Sequence, residues 1–309
     1  MTLDPILAQM LAAGADAPSY ETMTPAEART AMWARVAPMR ALAPDLGALH
    51  IEDLACPGPA GDVPLRLILP DGPGPHPVVV FLHGGGWMLC DLDTHQPLAA
   101  AIARGAGVAV LMVDYRLAPE HPFPAAIEDC AAALGCVMTE GAGLGLDTSR
   151  IVVAGDSAGG NLAAVLARRV RDEGGTLAGQ YLIYPVTDLP DPQRYPSYVE
   201  NDRDYGLSAA AMAWFWHHYA GSAQPGPDAI PMLVDDLSGL APALVQTAQY
   251  DVLRDEGEAY AERMAAAGVS VSMERHPGMT HGFVSLVGAL PGADDAVAQG
   301  CAWLRARFA

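Results

Sequence analysis

The sequence contains no lysine: all seventeen basic residues are arginine. A phosphate-binding loop of the G-K-[ST] type is therefore excluded. So is Schiff-base chemistry through lysine, pyridoxal enzymes included, and so are Ser-Lys dyads. Positive charge is scarce altogether. Seventeen cations stand against thirty-six carboxylates, a formal net charge of −19, so the basic patches that nucleic acid or an anionic membrane surface would need are not expected. Cysteine is sparse too. Cys56, Cys90, Cys130, Cys136 and Cys301 are odd in number and never spaced as C-x-x-C. Neither a disulfide framework nor a structural zinc site is expected; reduced thiols in a cytoplasm fit better. There is no HExxH. His50-Ile51-Glu52 with Cys56 is half of a zinc-deaminase pattern, without its P-C-x-x-C half. His217 and His218 are adjacent, about 100° apart on a helix, and make a poor metal pair. No apolar run approaches ~18 residues, so no membrane-spanning helix is expected. The N-terminal MTLDPILAQMLAAGADA carries Asp4 where a signal peptide carries positive charge, and the first basic residue is Arg29. Together these absences predict a cytoplasmic protein with no pyridoxal cofactor, no metal, no nucleic-acid partner and no stable membrane association.

What the chain does have is apolar residues, 51% of 309, enough for one large α/β domain with insertions. Residues 1 to about 45 read as helical, with Ile6, Leu7, Met10 and Leu11 at helical spacing. Thr24-Pro25-Ala26-Glu27 offers an N-cap, a first-turn proline and a first-turn acid. From His50 the pattern changes. His50–Ala55 and Val63–Leu69 read as strands with no helix between them, an antiparallel start. Short apolar strands then alternate with helices. The strands are Val78–Leu82, Val108–Val113, Ile151–Ala154, Leu177–Tyr184, Ala243–Ala248 and Val269–Arg275. The helices are Pro97–Ala106, Ala125–Met138, Ala158–Arg171, Leu253–Ala267 and a last one ending near Phe308. This alternation predicts a mostly parallel sheet with helices on both faces. Residues 188 to 222 interrupt it with a polar, proline-rich stretch followed by AAAMAWFWHHYAG, which reads as an inserted segment with one aromatic helix.

Two glycine-rich stretches carry the chemistry. In IVVAGDSAGGNLAAVLARRV, Gly155-Asp156-Ser157-Ala158-Gly159 lies between a β-branched strand and a long helix. This is the setting of a G-x-S-x-G nucleophile elbow, in which Ser157 sits on a sharp turn and the flanking glycines leave room for the crossing chain. A nucleophilic serine needs a base, and the base an orienting acid. The order on this fold is Ser, acid, His. Of the downstream histidines, His281 in HPGMTHGF follows a strand, in a loop; His276 ends that strand, and His217 and His218 lie in the inserted helix. Asp251 follows the strand-like ALVQTAQY, at the carboxyl end where a parallel sheet presents its groups. It ranks above Asp188, Asp255 and Glu256, the last two being acids favoured in any first helical turn. The second stretch, FLHGGGWMLCD, is explained by the oxyanion that forms when Ser157 attacks a carbonyl. Backbone N–H groups of Gly84, Gly85 and Ala158 would stabilise it, and glycines permit the approach.

HGGGWMLCDLDTH, DYRLAPEHPFPAAIED, GDSAGGNLA, YPVTD, DVLRDEG and GMTHGF, in that order from about His76 to Phe283, together resemble the hormone-sensitive-lipase-like esterases, bacterial family IV, in their GDSAG subgroup. The resemblance implies an α/β-hydrolase core, here residues 46–187 and 223–309. It also implies a helical cap from residues 1–45 and 188–222. It places the family's serine, acid and histidine on Ser157, Asp251 and His281 and its oxyanion glycines on Gly84 and Gly85. It further implies a cofactor-free carboxylesterase for short to medium acyl chains, in a family where many members are homodimers. Two positions depart from the family pattern: Cys90 stands where glycine is usual and Val252 where proline is usual. Trp87 is expected either to line the substrate pocket or to pack under the glycine loop, and Trp214, Phe215 and Trp216 either to wall the pocket or to form the core of the cap itself. The rival readings are an amidase or arylformamidase with the same triad, a non-catalytic ligand receptor, and a secreted lipase.

Overall fold

The structure, a computed structural model, describes residues 2–40 and 49–309. The expected boundary near residues 45 and 46 falls outside the described residues. Two helices open the chain, α1 (Pro5–Ala13) and α2 (Pro25–Arg40). Asp4 caps α1 by accepting from the N–H groups of Ile6 and Leu7. Thr24 and Glu27 cap α2 reciprocally, the Thr24 N–H donating to the Glu27 carboxylate at 2.8 Å and the Glu27 N–H to Thr24 Oγ1 at 3.4 Å.

The core is one sheet of eight strands: β1 (His50–Gly58), β2 (Gly61–Leu69), β3 (His76–Leu82), β4 (Ala109–Val113), β5 (Leu146–Asp156), β6 (Gly179–Ile183), β7 (Ala243–Tyr250) and β8 (Val271–Thr280), in the order β1-β2-β4-β3-β5-β6-β7-β8. β2 runs antiparallel to β1 and to β4; every other pairing is parallel. The helices between are α3 (Leu92–Ala106), α4 (Ala125–Glu140), α5 (Ala158–Asp172), α6 (Ser197–Glu200), α7 (Ala209–Ala220), α8 (Arg254–Ala266) and α9 (Pro291–Phe308). Alternation along β3 shows why its apolar run is unbroken. Val78, Val80 and Leu82 pack on one face with residues of α4, α5 and α8, whereas Val79 and Phe81 pack on the other with residues of α3 and α9. No helix among the described residues is long and apolar enough to cross a membrane.

Several elements differ in extent from the sequence expectation, β5 among them, which starts at Leu146 rather than Ile151. Helix α3 starts at Leu92, five residues ahead of Pro97, because Asp91 and Thr94 form a capping box that fixes the start. Strand β8 continues through Pro277-Gly278 to Thr280; a register irregularity between Ala248 and Tyr250 absorbs the break. The inserted segment holds the short α6 as well as α7.

The segment from Thr187 is tied to the core by Glu256, a fully buried carboxyl at the start of α8. Its Oε1 accepts from the N–H groups of Thr187 (2.8 Å) and Asp188 (3.3 Å), and its Oε2 is 2.8 Å from the Tyr198 hydroxyl. Burial, only partly offset by these hydrogen bonds, pushes Glu256 up to about 8. The folded state therefore holds this proton more tightly than the unfolded chain, whose glutamate titrates near 4.5, and stability from this group falls as pH rises between those values. Glu256→Gln, a neutral isostere, is expected to flatten that dependence and to gain about 1–2 kcal/mol on the wild type by pH ~8. Thermal melts across this range check it; parallel profiles would mean that the folded carboxyl is already ionised.

Candidate active site

Ser157 sits between β5 and α5 with φ 55° and ψ −119°, a strained conformation for a residue with a Cβ. The surroundings hold it there. Its N–H donates to Ile183 O at 2.8 Å, and its carbonyl accepts from the N–H groups of Asn161 and Val186. The glycines on either side have no room for a side chain. A Cβ on Gly155 would lie 2.4 Å from the backbone of Gly159, and one on Gly159 would lie within 2 Å of Leu82 O.

His281 follows the end of β8. Its Nε2 is 2.9 Å from Ser157 Oγ and its Nδ1 is 2.7 Å from Asp251 Oδ2. Asp251 follows the end of β7 with its carboxylate fully buried. Its other oxygen accepts from the Leu253 N–H at 2.9 Å, so the carboxylate cannot swing away from the imidazole. Tyr184 packs against the His281 ring at 4.7 Å. The rival residues lie in other networks. His276 is buried against Phe283, and burial lowers its pKa. His217 and His218 contact each other on α7. Asp188 binds Arg194 and the Tyr195 hydroxyl, and Asp255 binds Arg254 and the Ser197 N–H.

The glycine loop requires a correction. The Gly84 N–H, expected to point at the oxyanion, donates instead to Asp156 Oδ1 at 2.9 Å. Gly84 does not line the cavity; Gly85 and Gly86 do. The N–H groups of Gly85 and Gly86 have no partner among the described residues, and that of Ala158 is the first of α5, which has no intrahelical acceptor. The unclaimed donors are thus one residue further along than the sequence suggested. The reason is Asp156, the residue between Gly155 and Ser157. Burial pushes its pKa up, but His95, 3.2 Å away, and the Gly84 N–H outweigh burial and hold it below the usual carboxylate range. An ionised Asp156 anchors the first glycine. His83 braces the same loop. Burial pushes its imidazole down to about 3, so the ring is neutral, and with Gly84 O 2.8 Å from Nδ1 the proton belongs on Nδ1. Tyr115 stacks on this ring at 4.3 Å and donates to His83 O. Asp156, His95 and Gly86 were all within the quoted motifs, but nothing in their spacing showed which N–H groups are already spent.

The cavity above Ser157 measures about 140 Å³. Its apolar lining includes Tyr20, Met32, Val186, Leu207, Met212 and Phe215. Two pocket expectations are corrected here. Trp87 is fully buried beneath the loop, stacked on Tyr219 at 4.2 Å, and does not reach the cavity. Trp214 packs edge-on against Phe215 and His218, away from the cavity lining. Helical geometry separates the three aromatics. Successive residues are about 100° apart, so only Phe215 faces the cavity, while Trp216 joins the stack with Trp87. Gly86 is where Phe215 comes down: a Cβ there would lie within 2.5 Å of the Phe215 ring. Cys90 also lines the cavity, with φ 68°. That left-handed conformation accounts for glycine being the usual residue there. Burial pushes the Cys90 thiol up to about 12. Val252, in place of the usual proline, is simply buried.

An elbow serine, a histidine held by a buried aspartate and a cavity edged by free backbone N–H groups define a serine hydrolase of the α/β-hydrolase type. A family model described as alpha/beta hydrolase fold matches residues 79–285. The chain is 46% identical over 263 residues to a carboxylesterase, NlhH, of Mycobacterium tuberculosis, covering 79% of this chain and 78% of that one. It is 44% identical over 249 residues to the carboxylic ester hydrolase LipN of the same organism, covering 77% of this chain and 66% of LipN. Among solved structures, a hyperthermophilic esterase from Pyrobaculum calidifontis superposes with a TM-score of 0.95 at 39% identity, covering 100% of this chain and 99% of that one. The chain belongs to the α/β hydrolases, in their hormone-sensitive-lipase-like branch of carboxylic ester hydrolases.

Proposed function

We propose that the protein hydrolyses carboxylic esters with short to medium acyl chains through an acyl-enzyme on Ser157. The observation that carries this reading is the unbroken hydrogen-bonded line Ser157–His281–Asp251 opening on a small apolar cavity. His281 Nε2 takes the hydroxyl proton as Oγ attacks the ester carbonyl. The Asp251 carboxylate holds the ring and stabilises its cationic form. The oxyanion is met by the N–H groups of Gly85, Gly86 and Ala158. The tetrahedral intermediate collapses, His281 returns its proton to the departing alcohol, and the acyl group stays on Oγ. Water then attacks the acyl-enzyme with His281 again as base, releasing the acid and restoring the serine.

In this reading residues 1–45 and 188–222 act as a cap over a hydrolase core of residues 46–187 and 223–309, and supply Tyr20, Met32 and Phe215 to the pocket. No cofactor takes part. The cavity volume limits the acyl chain. Turnover of p-nitrophenyl esters is expected to be greatest between acetyl and hexanoyl and to fall away by dodecanoyl. Greatest turnover of the long chain would overturn the size argument. Faster cleavage of the matching p-nitroanilide than of the ester would point to an amidase.

A further inference from the structure

The cavity lining contains one guanidinium, that of Arg35 on α2. Of the other ionisable groups of the wall, Asp156 is committed to His95 and Gly84, and His281 to Asp251 and Ser157. Arg35 is different. Carboxylates outnumber arginines by thirty-six to seventeen, and arginines such as Arg29, Arg66, Arg116, Arg168 and Arg254 are taken up in ion pairs. Arg35 has no carboxylate partner among the described residues. Its charge is felt by the Tyr20 hydroxyl and the Cys90 thiol. Burial raises the pKa of both, and Arg35 pulls each the other way. All three residues line the cavity, within electrostatic reach of one another in one corner of it. That corner adjoins the glycine loop, because Cys90 Sγ lies 3.0 Å from where a Cβ on Gly85 would be.

We propose that Arg35, assisted by the Tyr20 hydroxyl, binds the carboxylate of a small ester that carries one negative charge, making monoanionic esters the preferred substrates. This rests on the esterase reading above and specifies its substrate class. A planar guanidinium matches a carboxylate with two parallel N–H donors. Tyr20, whose hydroxyl burial pushes above the usual tyrosine range, offers an O–H on the same wall. Elsewhere the acidic surface repels anions, so a local cation is needed to hold one beside Ser157. The same chemistry is available to a half-ester of a dicarboxylic acid, with its charge on the acyl side, and to an O-acyl hydroxy acid, with its charge on the alcohol side.

Two matched pairs distinguish them: monoethyl succinate against ethyl pentanoate, and O-acetyl lactate against sec-butyl acetate, each followed by pH-stat in the wild type, Arg35→Met and Arg35→Lys. The measured quantity is the ratio of kcat/KM for the anionic ester to that for its neutral partner. In at least one pair, Arg35→Met is expected to lower this ratio about tenfold or more, chiefly through KM, with Arg35→Lys between. Added salt should lower the wild-type ratio. The pair that responds identifies the side bearing the charge. A ratio unchanged in both pairs, or anionic and neutral esters falling together as for a structural lesion, overturns the inference and leaves the esterase reading standing. A wild type inert towards all four esters overturns both.

Discussion

Ser157→Ala is expected to reduce hydrolysis of p-nitrophenyl butyrate by about 10⁴–10⁶-fold with the melting temperature nearly unchanged. The size follows from the site. In the proposed mechanism Oγ is the atom that forms the acyl bond, and the neighbouring N–H donors stabilise an oxyanion only after some nucleophile has attacked. The unchanged stability follows from what Ser157 contributes to the fold. The hydrogen bonds that hold the elbow, to Ile183 O and from the N–H groups of Asn161 and Val186, are made by its backbone and survive the substitution. Its side chain contacts His281 alone among hydrogen-bonding groups, and alanine meets the same φ of 55° that serine tolerates. Steady-state kinetics and a thermal melt on the same preparation decide the matter. A variant that keeps appreciable turnover would mean that another group is the nucleophile.

The second large effect is on folding. In Gly159→Ala the new Cβ would lie within 2 Å of Leu82 O, 2.6 Å from Leu82 C and 2.7 Å from His83 O. These are backbone atoms where β3 passes into the glycine loop, and no side chain can rotate to make room. The expected cost exceeds about 4 kcal/mol, enough to leave little soluble folded protein. Gly135→Ala is the comparison. Gly135 lies inside α4 with open space where its Cβ would be, so alanine there is expected to stabilise by about 0.5–1 kcal/mol. Urea denaturation of the two variants measures both. If Gly159→Ala folded normally, the approach of β3 to α5 would have to be looser than these distances.

How much of this was legible in advance depended on how local the cause was. The parallel sheet could be read because strands buried on both faces, such as Val78–Leu82, must be apolar without interruption. That Ser157 lies on a sharp strand-to-helix turn and His281 just after a strand could be read because each placement is set by a few neighbouring residues. Where the deciding partner was remote, reading failed. Nothing near Gly84 announces that Asp156, 72 residues away, takes its N–H, which moved the free donors on to Gly85 and Gly86. Nothing near Trp87 announces the stack with Tyr219. The start of α3 differs from the expectation for another reason. Two local signals competed, and the Asp91–Thr94 capping box prevailed over the preference of proline for a first turn.

The seating of Phe215 on Gly86, and of Tyr219 on Trp87, has a bearing on engineering. The α7 wall of the pocket and the loop that offers the backbone donors are one packed unit. Trimming Phe215 to admit a bulkier substrate removes the support of the loop at the same time, so gains in substrate range on that side will be traded against turnover. Tyr20 packs against Phe215 at 5.5 Å and belongs to that unit, but Met32 and Arg35 on α2 have no ring seated on the glycines. Libraries aimed at altered selectivity should begin there.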